Sequence, residues 1–319
     1  FLKQIGISKM TIGVSGGIDS ALTAAFYVNL LGPGNVLLVN MPSKFNSPLT
    51  KNLALMIAKA LKCNYCIMPI QESVDHTNTQ MTQTQIHDYE SNATFSLELS
   101  PLARENIQAR DRTRILAALA SAFGGGFSCN SNKAEITVGY ATFYGDLTGV
   151  LAMIGDLWKN QVYELAHYLN DKIFERKVIP DEIFTISPSA ELSAEQTVGV
   201  GGDPMIYEYH DYLFRAFIER WDKASPLDIL YWYKEGSLEE IIGCQSGIIS
   251  KIFPTNKAFI DDLERWWKLF SGFAVAKRIQ APPIISLSRR AYGYDHREAQ
   301  LSPYFSLKYH KLKEELLKN

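Results

Sequence analysis

The 319-residue sequence predicts an α/β protein, a doubly wound parallel sheet followed by a C-terminal helical extension. Three observations carry this prediction. Apolar runs of strand length recur at residues 10–14, 36–42 and 65–70. Helix patterns stand between them: one opens with Ala21-Leu22-Thr23-Ala24-Ala25-Phe26, and one is marked by Leu53, Ile57, Ala60 and Leu61. Past Ser189 the strand pattern ends and aromatic-rich helical stretches replace it. Strands that alternate with helices build parallel sheets covered on both faces, and such sheets bind ligands at the carboxyl ends of their strands.

The elements follow in order. Met10-Thr11-Ile12-Gly13-Val14 is the first strand, and Ser15-Gly16-Gly17-Ile18-Asp19-Ser20 turns it into a helix that Gly32-Pro33-Gly34 stops. Residues 75–99 are polar, rich in Thr and Gln and weakly periodic, so a surface excursion is expected there. A long helix is predicted over 102–123, ended by Gly124-Gly125-Gly126, and then a short strand at Phe127-Ser128-Cys129-Asn130. Further helices are expected over 159–169, 207–221, 227–233 and 258–273. This divides the chain into a core over 1–200 and a mainly helical extension over 201–319, without internal repeats.

Composition excludes several classes. A net charge of -2 speaks against generic nucleic-acid binding. No apolar run approaches the ~20 residues of a membrane span, and no secretory leader is visible. The four cysteines suit a reducing cytoplasm. Cys63 and Cys66 form a single C-x-x-C with no second pair and no nearby His, and so read as buried thiols rather than a zinc or redox pair. The chain opens on Phe1 and reaches a strand almost at once, so a start inside a longer polypeptide is expected.

The residues after the first strand carry the most chemistry. Strand, glycine turn and helix start aim backbone N–H groups at a phosphate. Gly16 and Gly17 let an anion approach without a Cβ in its way, and Ser15 and Ser20 offer hydroxyls. Asp19 would repel a phosphate unless a Mg²⁺ bridged the two. The plainer account makes Ser15 a helix cap and Asp19 a partner of the helix dipole. The spacing is neither a Walker A nor a dinucleotide loop. It resembles the pyrophosphatase loop of the ATP-pyrophosphatase superfamily, whose members split ATP between its α and β phosphates and form adenylates.

Five later segments carry polar residues that a core does not need, each with an ordinary alternative. In Glu105-Asn106-Ile107-Gln108-Ala109-Arg110-Asp111-Arg112-Thr113-Arg114, Arg110 and Arg114 share a helix face, as they would on a solvated edge with local Asp–Arg pairs. In Ser131-Asn132-Lys133-Ala134-Glu135-Ile136, Glu135 is either a first-turn dipole partner or a second carboxylate on Mg²⁺ with Asp19. Gly139-Tyr140-Ala141-Thr142-Phe143-Tyr144-Gly145-Asp146 offers aromatics for a planar ring, or for the core. Lys159, in Gly155-Asp156-Leu157-Trp158-Lys159, is a phosphate partner or a surface lysine. Ser189, in Ser187-Pro188-Ser189-Ala190-Glu191-Leu192, meets a phosphate or caps a helix.

Taken in order, S-G-G-I-D-S-A-L, E-N-I-Q-A-R, S-N-K-A-E-I, V-G-Y-A-T-F-Y-G-D, G-D-L-W-K and P-S-A-E-L resemble the NAD⁺ synthetases, and among them the glutamine-dependent branch. The resemblance covers residues 10–200, with an echo at Gln280-Ala281-Pro282-Pro283. It implies an adenine nucleotide alpha-hydrolase-like fold and a nitrilase-like glutaminase domain upstream. It further implies ATP-dependent adenylation of nicotinic acid adenine dinucleotide, then amidation by ammonia to NAD⁺ and AMP. By position Ser15, Gly16, Gly17, Asp19, Ser20, Arg110, Lys159 and Ser189 would contact ATP. Asp19 and Glu135 would hold Mg²⁺, and Asn132, Lys133, Tyr140, Tyr144 and Asp146 would face the dinucleotide or ammonia. Asp19, Glu135, Lys159 and Asp146 would be the catalytic group, and a homodimer or higher homo-oligomer is expected. The sequence departs from the family at residues 197–203, which are mostly glycine and small residues where several acidic ones are usual, and at 292–297, which are less basic. The rival readings are another ligase with the same loop, such as a GMP-synthetase-like or tRNA-modifying enzyme, and a nucleotide sensor without turnover.

Overall fold

The structure, a computed structural model, describes residues 1–186, 203–288 and 305–318. The chain forms two compact units. The first comprises Phe1–Asn130, Thr142–Met153 and Tyr163–Asp203, and the second Ser131–Ala141, Ile154–Val162 and Pro204–Asn319.

The first unit is built on a parallel sheet. Its elements are β1 (Met10–Gly13), α1 (Ile18–Leu31), β2 (Val36–Asn40), α2 (Pro48–Leu61), β3 (Asn64–Ile67), α3 (Gln71–Gln83), the strands β4 (Ile86–Asp88) and β5 (Ala93–Phe95), α4 (Pro101–Phe123) and β6 (Gly126–Cys129). After α5 (Lys133–Val138), which belongs to the second unit, the sheet gains β7 (Leu151–Ala152). The strand order is β3-β2-β1-β6-β7, every pairing in it parallel. Met10 pairs with Val36 on one side and Gly126 on the other, so β1 is central. Met10, Thr11 and Ile12 are fully buried, as a strand covered on both faces requires. Val39, Met41, Ile70, Val74, Ile115 and Leu116 form a core that joins β2, α3 and α4. Successive strands are laid down on one side of β1 and later ones on the other. The order therefore reverses beside the carboxyl end of β1, where open α/β sheets leave a crevice.

The expected elements are present with shifted ends. β3 stops at Ile67, short of Pro69, because proline cannot donate to a ladder. The expected excursion at 75–99 is exposed but ordered: α3 buries only Val74, and β4 and β5 form an antiparallel hairpin. Neither has an apolar face long enough to print a periodicity on the sequence.

The second unit is helical. α6 (Lys159–Tyr168) starts in it and continues into the first unit, which also holds α7 (Asp181–Thr185). Then come α8 (Tyr207–Ile218), α9 (Pro226–Lys234), α10 (Leu238–Ile242), α11 (Ile248–Ile252), α12 (Asn256–Ser271), α13 (Ala274–Gln280) and α14 (Leu307–Lys318). Its core is aromatic: Phe214 and Trp266 meet edge to face at 5.3 Å, and Tyr233 stacks on Phe259 at 3.9 Å. No helix among the described residues is long and apolar enough to cross a membrane.

Candidate functional site

In the first unit the 15–20 loop leaves the carboxyl end of β1. Two asparagines from the neighbouring strand ends hold that end: Asn40 Nδ2 donates to Val14 O and Asn130 Nδ2 to Gly13 O, both at 2.8 Å. Gly17, not Ser15, is the residue before α1, and its position carries no side-chain cap. Ser15 instead shapes the loop. Its Oγ accepts from Gly17 N–H at 3.2 Å and lies 3.3 Å from Ser20 Oγ, which donates to Gly17 O at 3.0 Å. The plainer account, in which Ser15 caps α1, therefore does not hold. Gly16 sits at φ +92, where a Cβ would come within 2.3 Å of Thr50 O in α2. Gly17 is extended and exposed, with room for a Cβ beyond Ser15 Oγ at 3.4 Å. Asp19 is half-buried in the first turn of α1.

The same unit holds Arg110, Tyr144 and Asp146. Arg110 Nε donates to Phe143 O at 3.1 Å, and Thr142 Oγ1 donates to Asn106 Oδ1 at 2.7 Å. One face of α4 thus anchors the turn at 142–146. Arg114 pairs with Asp111 at 2.8 Å and with Ser73, a local Asp–Arg pair of the kind the ordinary account describes. Asp146 accepts Thr142 N–H at 2.6 Å and closes the turn. Tyr144 is 61 % exposed and adopts φ +56, a left-handed conformation that a bulky side chain rarely takes. Such strain collects where a side chain must be presented to something.

The second unit holds Asn132, Lys133, Glu135, Tyr140 and Lys159. Asn132 and Glu135 form a capping box on α5: Asn132 Oδ1 accepts from Glu135 N–H at 3.2 Å, and Glu135 Oε2 from Asn132 N–H at 3.2 Å. Glu135 Oε1 also accepts from Asn132 Nδ2 at 2.9 Å. Glu135 is thus the first-turn partner that the sequence allowed.

Lys133 is fully buried. Its Nζ donates to Asp156 Oδ1 at 2.7 Å, Glu219 Oε1 at 2.5 Å and Ser288 Oγ at 3.0 Å, which uses all three of its N–H groups. Burial opposes the charge on Asp156. Hydrogen bonds from Lys133 and from the Ser288 and Leu287 N–H groups outweigh it and hold the carboxyl below its usual range. Lys159 is buried too, rather than on the surface, with Nζ 5.1 Å from the Tyr207 ring centre. Tyr140 leaves a turn whose carbonyls at Gly139 and Ala141 both accept from Lys277 Nζ. Ser189 lies outside the described residues.

No cluster of three or more metal-binding side chains exists among the described residues. Asp19 and Glu135 offer the hard oxygen donors that Mg²⁺ takes singly or in pairs, with substrate phosphates completing its shell. All four cysteines are free. Burial pushes the Cys63 and Cys244 thiols up to about 11 and raises Cys66, so these three stay protonated at neutral pH. Sequence reasoning missed Asn40, Asn130, Asp156 and Glu219. The only signals were an Asn at each of two strand ends and an acid inside an already noticed segment.

The family model described as NAD synthase matches residues 1–231. The chain is 41% identical over 233 residues to a glutamine-dependent NAD(+) synthetase of Synechocystis sp., covering 72% of this chain and 38% of that protein. It is 31% identical over 299 residues to a protein of the same description from Xylella fastidiosa, covering 93% of this chain and 47% of the other. The chain thus spans less than half the length of these curated relatives. Among solved structures it resembles the glutamine-dependent NAD+ synthetase of Acinetobacter baumannii in complex with adenosine diphosphate. That match has TM-score 0.52 and 27% identity, covering 95% of this chain and 46% of that one.

Proposed function

The chain belongs to the NAD synthase family, and from that premise we propose that it makes NAD⁺ from nicotinic acid adenine dinucleotide, ATP and ammonia. A carboxylate oxygen of the dinucleotide attacks the α phosphorus of ATP, and pyrophosphate leaves. Ammonia then attacks the acyl carbon of the adenylate, AMP leaves with that oxygen, and a proton is released. Both steps need negative charge to be offset and water kept out; neither needs a covalent enzyme nucleophile.

The observation that supports this most is the 15–20 loop. It lies at the carboxyl end of the central strand, beside the reversal of strand order, with Gly16 wedged against Thr50 and Gly17 left open to an anion. Ser15, Gly16, Gly17 and Ser20 would cradle the pyrophosphate half of ATP, and Arg110, Lys159 and Ser189 would neutralise the rest. Asp19 and Glu135 would hold Mg²⁺, which when bound supplies positive charge to the leaving pyrophosphate. Tyr140 and Tyr144 belong to the segment that would stack the pyridine ring, with Asn132 contacting the dinucleotide and Asp146 facing the substrate or ammonia. Lys133 we assign to holding residues 287–288 rather than to substrate, because its N–H groups are already spent.

The nitrogen donor for this chain is ammonia. A glutaminase needs a nucleophilic thiolate, and burial keeps Cys63, Cys66 and Cys244 protonated. The free cysteines also suit a cytoplasmic protein, and by analogy with the family it works as a homodimer or higher homo-oligomer. Other ligases with this loop and a nucleotide sensor have less support, since the matched family is NAD synthase.

Incubating the chain with ATP, Mg²⁺, the dinucleotide and either ammonia or glutamine tests this. NAD⁺, AMP and pyrophosphate should appear in equal amounts with ammonia and not with glutamine. Release of ADP and phosphate, or no turnover with either donor, overturns the reading.

A further inference from the structure

Two neighbouring cations of α13, Lys277 and Arg278, reach back to the backbone at the end of α5, within the second unit. Arg278 is buried. Its Nη1 donates to Thr137 O and its Nη2 to Phe270 O at 3.0 Å, which ties the end of α5 to α12. Lys277 Nζ donates to Gly139 O at 2.7 Å and to Ala141 O at 2.5 Å. The Phe273 ring centre lies 5.3 Å from the same ammonium. Both cations lie beyond residue 231, where the match to the family model ends.

A cation at the C-terminus of a helix is ordinary, because the last carbonyls form the negative end of the dipole. Arg278 fits that account. Lys277 does not. Gly139 already ends α5: it adopts φ +67, and its N–H donates to Glu135 O and Ile136 O. The carbonyls that Lys277 takes lie past the helix, on the residues either side of Tyr140. Gly139 O also receives the Ala141 N–H at 2.8 Å, so Lys277 is not needed to satisfy it. The Tyr140 N–H in turn donates to Glu135 O at 2.9 Å. The backbone around Tyr140 is thus held at its own N–H and at both flanking residues. Gly139 packs directly on α13, where a Cβ would stand 2.8 Å from Ala274 Cα. Charge-assisted hydrogen bonds are about twice as strong as neutral ones, so one ammonium shared by two carbonyls stiffens the turn that carries Tyr140.

We propose that Lys277 is a positioning residue for the dinucleotide: by gripping the carbonyls of Gly139 and Ala141 it fixes the backbone from which Tyr140 presents its ring to the pyridine. The helical extension thereby takes part in substrate recognition. This rests on the reading that Tyr140 belongs to the segment that stacks the pyridine ring.

The test uses Lys277→Met, which removes the donors and keeps most of the stem, with Lys277→Arg as the conservative variant. Lys277→Met should raise KM for the dinucleotide about tenfold, leave KM for ATP and kcat near wild type, and melt close to the wild-type temperature. Lys277→Arg keeps the charge and the N–H groups and should recover most of the loss. If Lys277→Met does not fold, Lys277→Gln, which keeps an amide donor without the charge, should show the same pattern at smaller size. In a Tyr140→Ala background, where the ring is already gone, Lys277→Met should raise the dinucleotide KM no further, because residues acting through one contact are not additive. If Tyr140→Ala has a normal KM for the dinucleotide, the stacking reading fails and the proposal fails with it. If Tyr140→Ala is impaired but Lys277→Met is normal, adds its full effect in that background, raises KM for both substrates alike or is not rescued by Lys277→Arg, the proposal alone is overturned and Lys277 only closes the end of α5.

Discussion

Gly16 and Thr50 lie so close that the loop between β1 and α1 has no space for a side chain: a Cβ on Gly16 would stand 2.3 Å from the Thr50 carbonyl oxygen. Gly16→Ala should therefore destabilise the fold, by about 1–3 kcal/mol from its left-handed φ alone and more from the clash. Gly17→Ala has an ordinary φ and open space, so it should melt with the wild type. Loss of ATP binding in Gly17→Ala would then report the approach of phosphate rather than damage to the loop. Thermal melting and calorimetric titration with a non-hydrolysable ATP analogue separate the two. A Gly16→Ala protein as stable as wild type would mean that α2 yields to it.

Glu135→Gln isolates the charge of the second proposed metal ligand. The amide oxygen can still accept from Asn132, so the capping box is only weakened and the melting temperature should fall little. Turnover should fall about a hundredfold, near 3 kcal/mol, as for loss of one charge-stabilising contact at a reacting centre. Near-normal turnover at limiting Mg²⁺ would remove Glu135 from the metal site.

Lys133→Met tests the buried ion-pair hub. The change leaves Asp156 without its cation and Glu219 with Arg215 alone, and should cost about 3–5 kcal/mol, read by urea unfolding. The pH dependence has a definite sign. The folded-state pKa of Asp156 is depressed, so its contribution is fully present above the unfolded value of about 3.9 and is lost as pH falls through the folded value. Wild-type stability should drop on acidification below about pH 4, and Asp156→Asn should lose that part of the drop. An equal acid loss in both proteins would place the sensitivity elsewhere.

Tyr144 holds a backbone conformation that suits glycine, at a cost of about 1–2 kcal/mol for a side-chain-bearing residue. Tyr144→Gly should unfold no earlier than wild type, although glycine usually weakens a fold. If the ring meets the dinucleotide, its KM should rise at the same time. A variant that loses stability and keeps KM would make Tyr144 an ordinary packing residue.

The sheet was legible because Met10, Ile12, Val36, Leu38 and Val39 are buried strand residues, and burial on both faces writes itself as unbroken apolar runs. The strand–turn–helix placement of the 15–20 loop was legible because its pattern is local, six residues between one strand and one helix. Helix α3 was not, because a helix that buries only Val74 leaves no periodic trace. Nor was the surrounding of Lys133. Its partners lie 23, 86 and 155 residues away, and pairing at such separations is decided by packing that no local pattern records.

The amides of Asn40 and Asn130 occupy the carbonyls of Val14, just past β1, and Gly13, its last residue, where the sheet divides. Side chains thus do there what a neighbouring strand does elsewhere, and the strand end is satisfied without a guest. If the 15–20 loop is the phosphate cradle proposed above, it is built before its ligand arrives, so little ordering entropy is left to be lost on association. Encounter with the triphosphate should follow one fast phase, linear in ligand concentration, in stopped-flow mixing. Asn130→Ala, which frees the strand end, should add a slower phase that saturates.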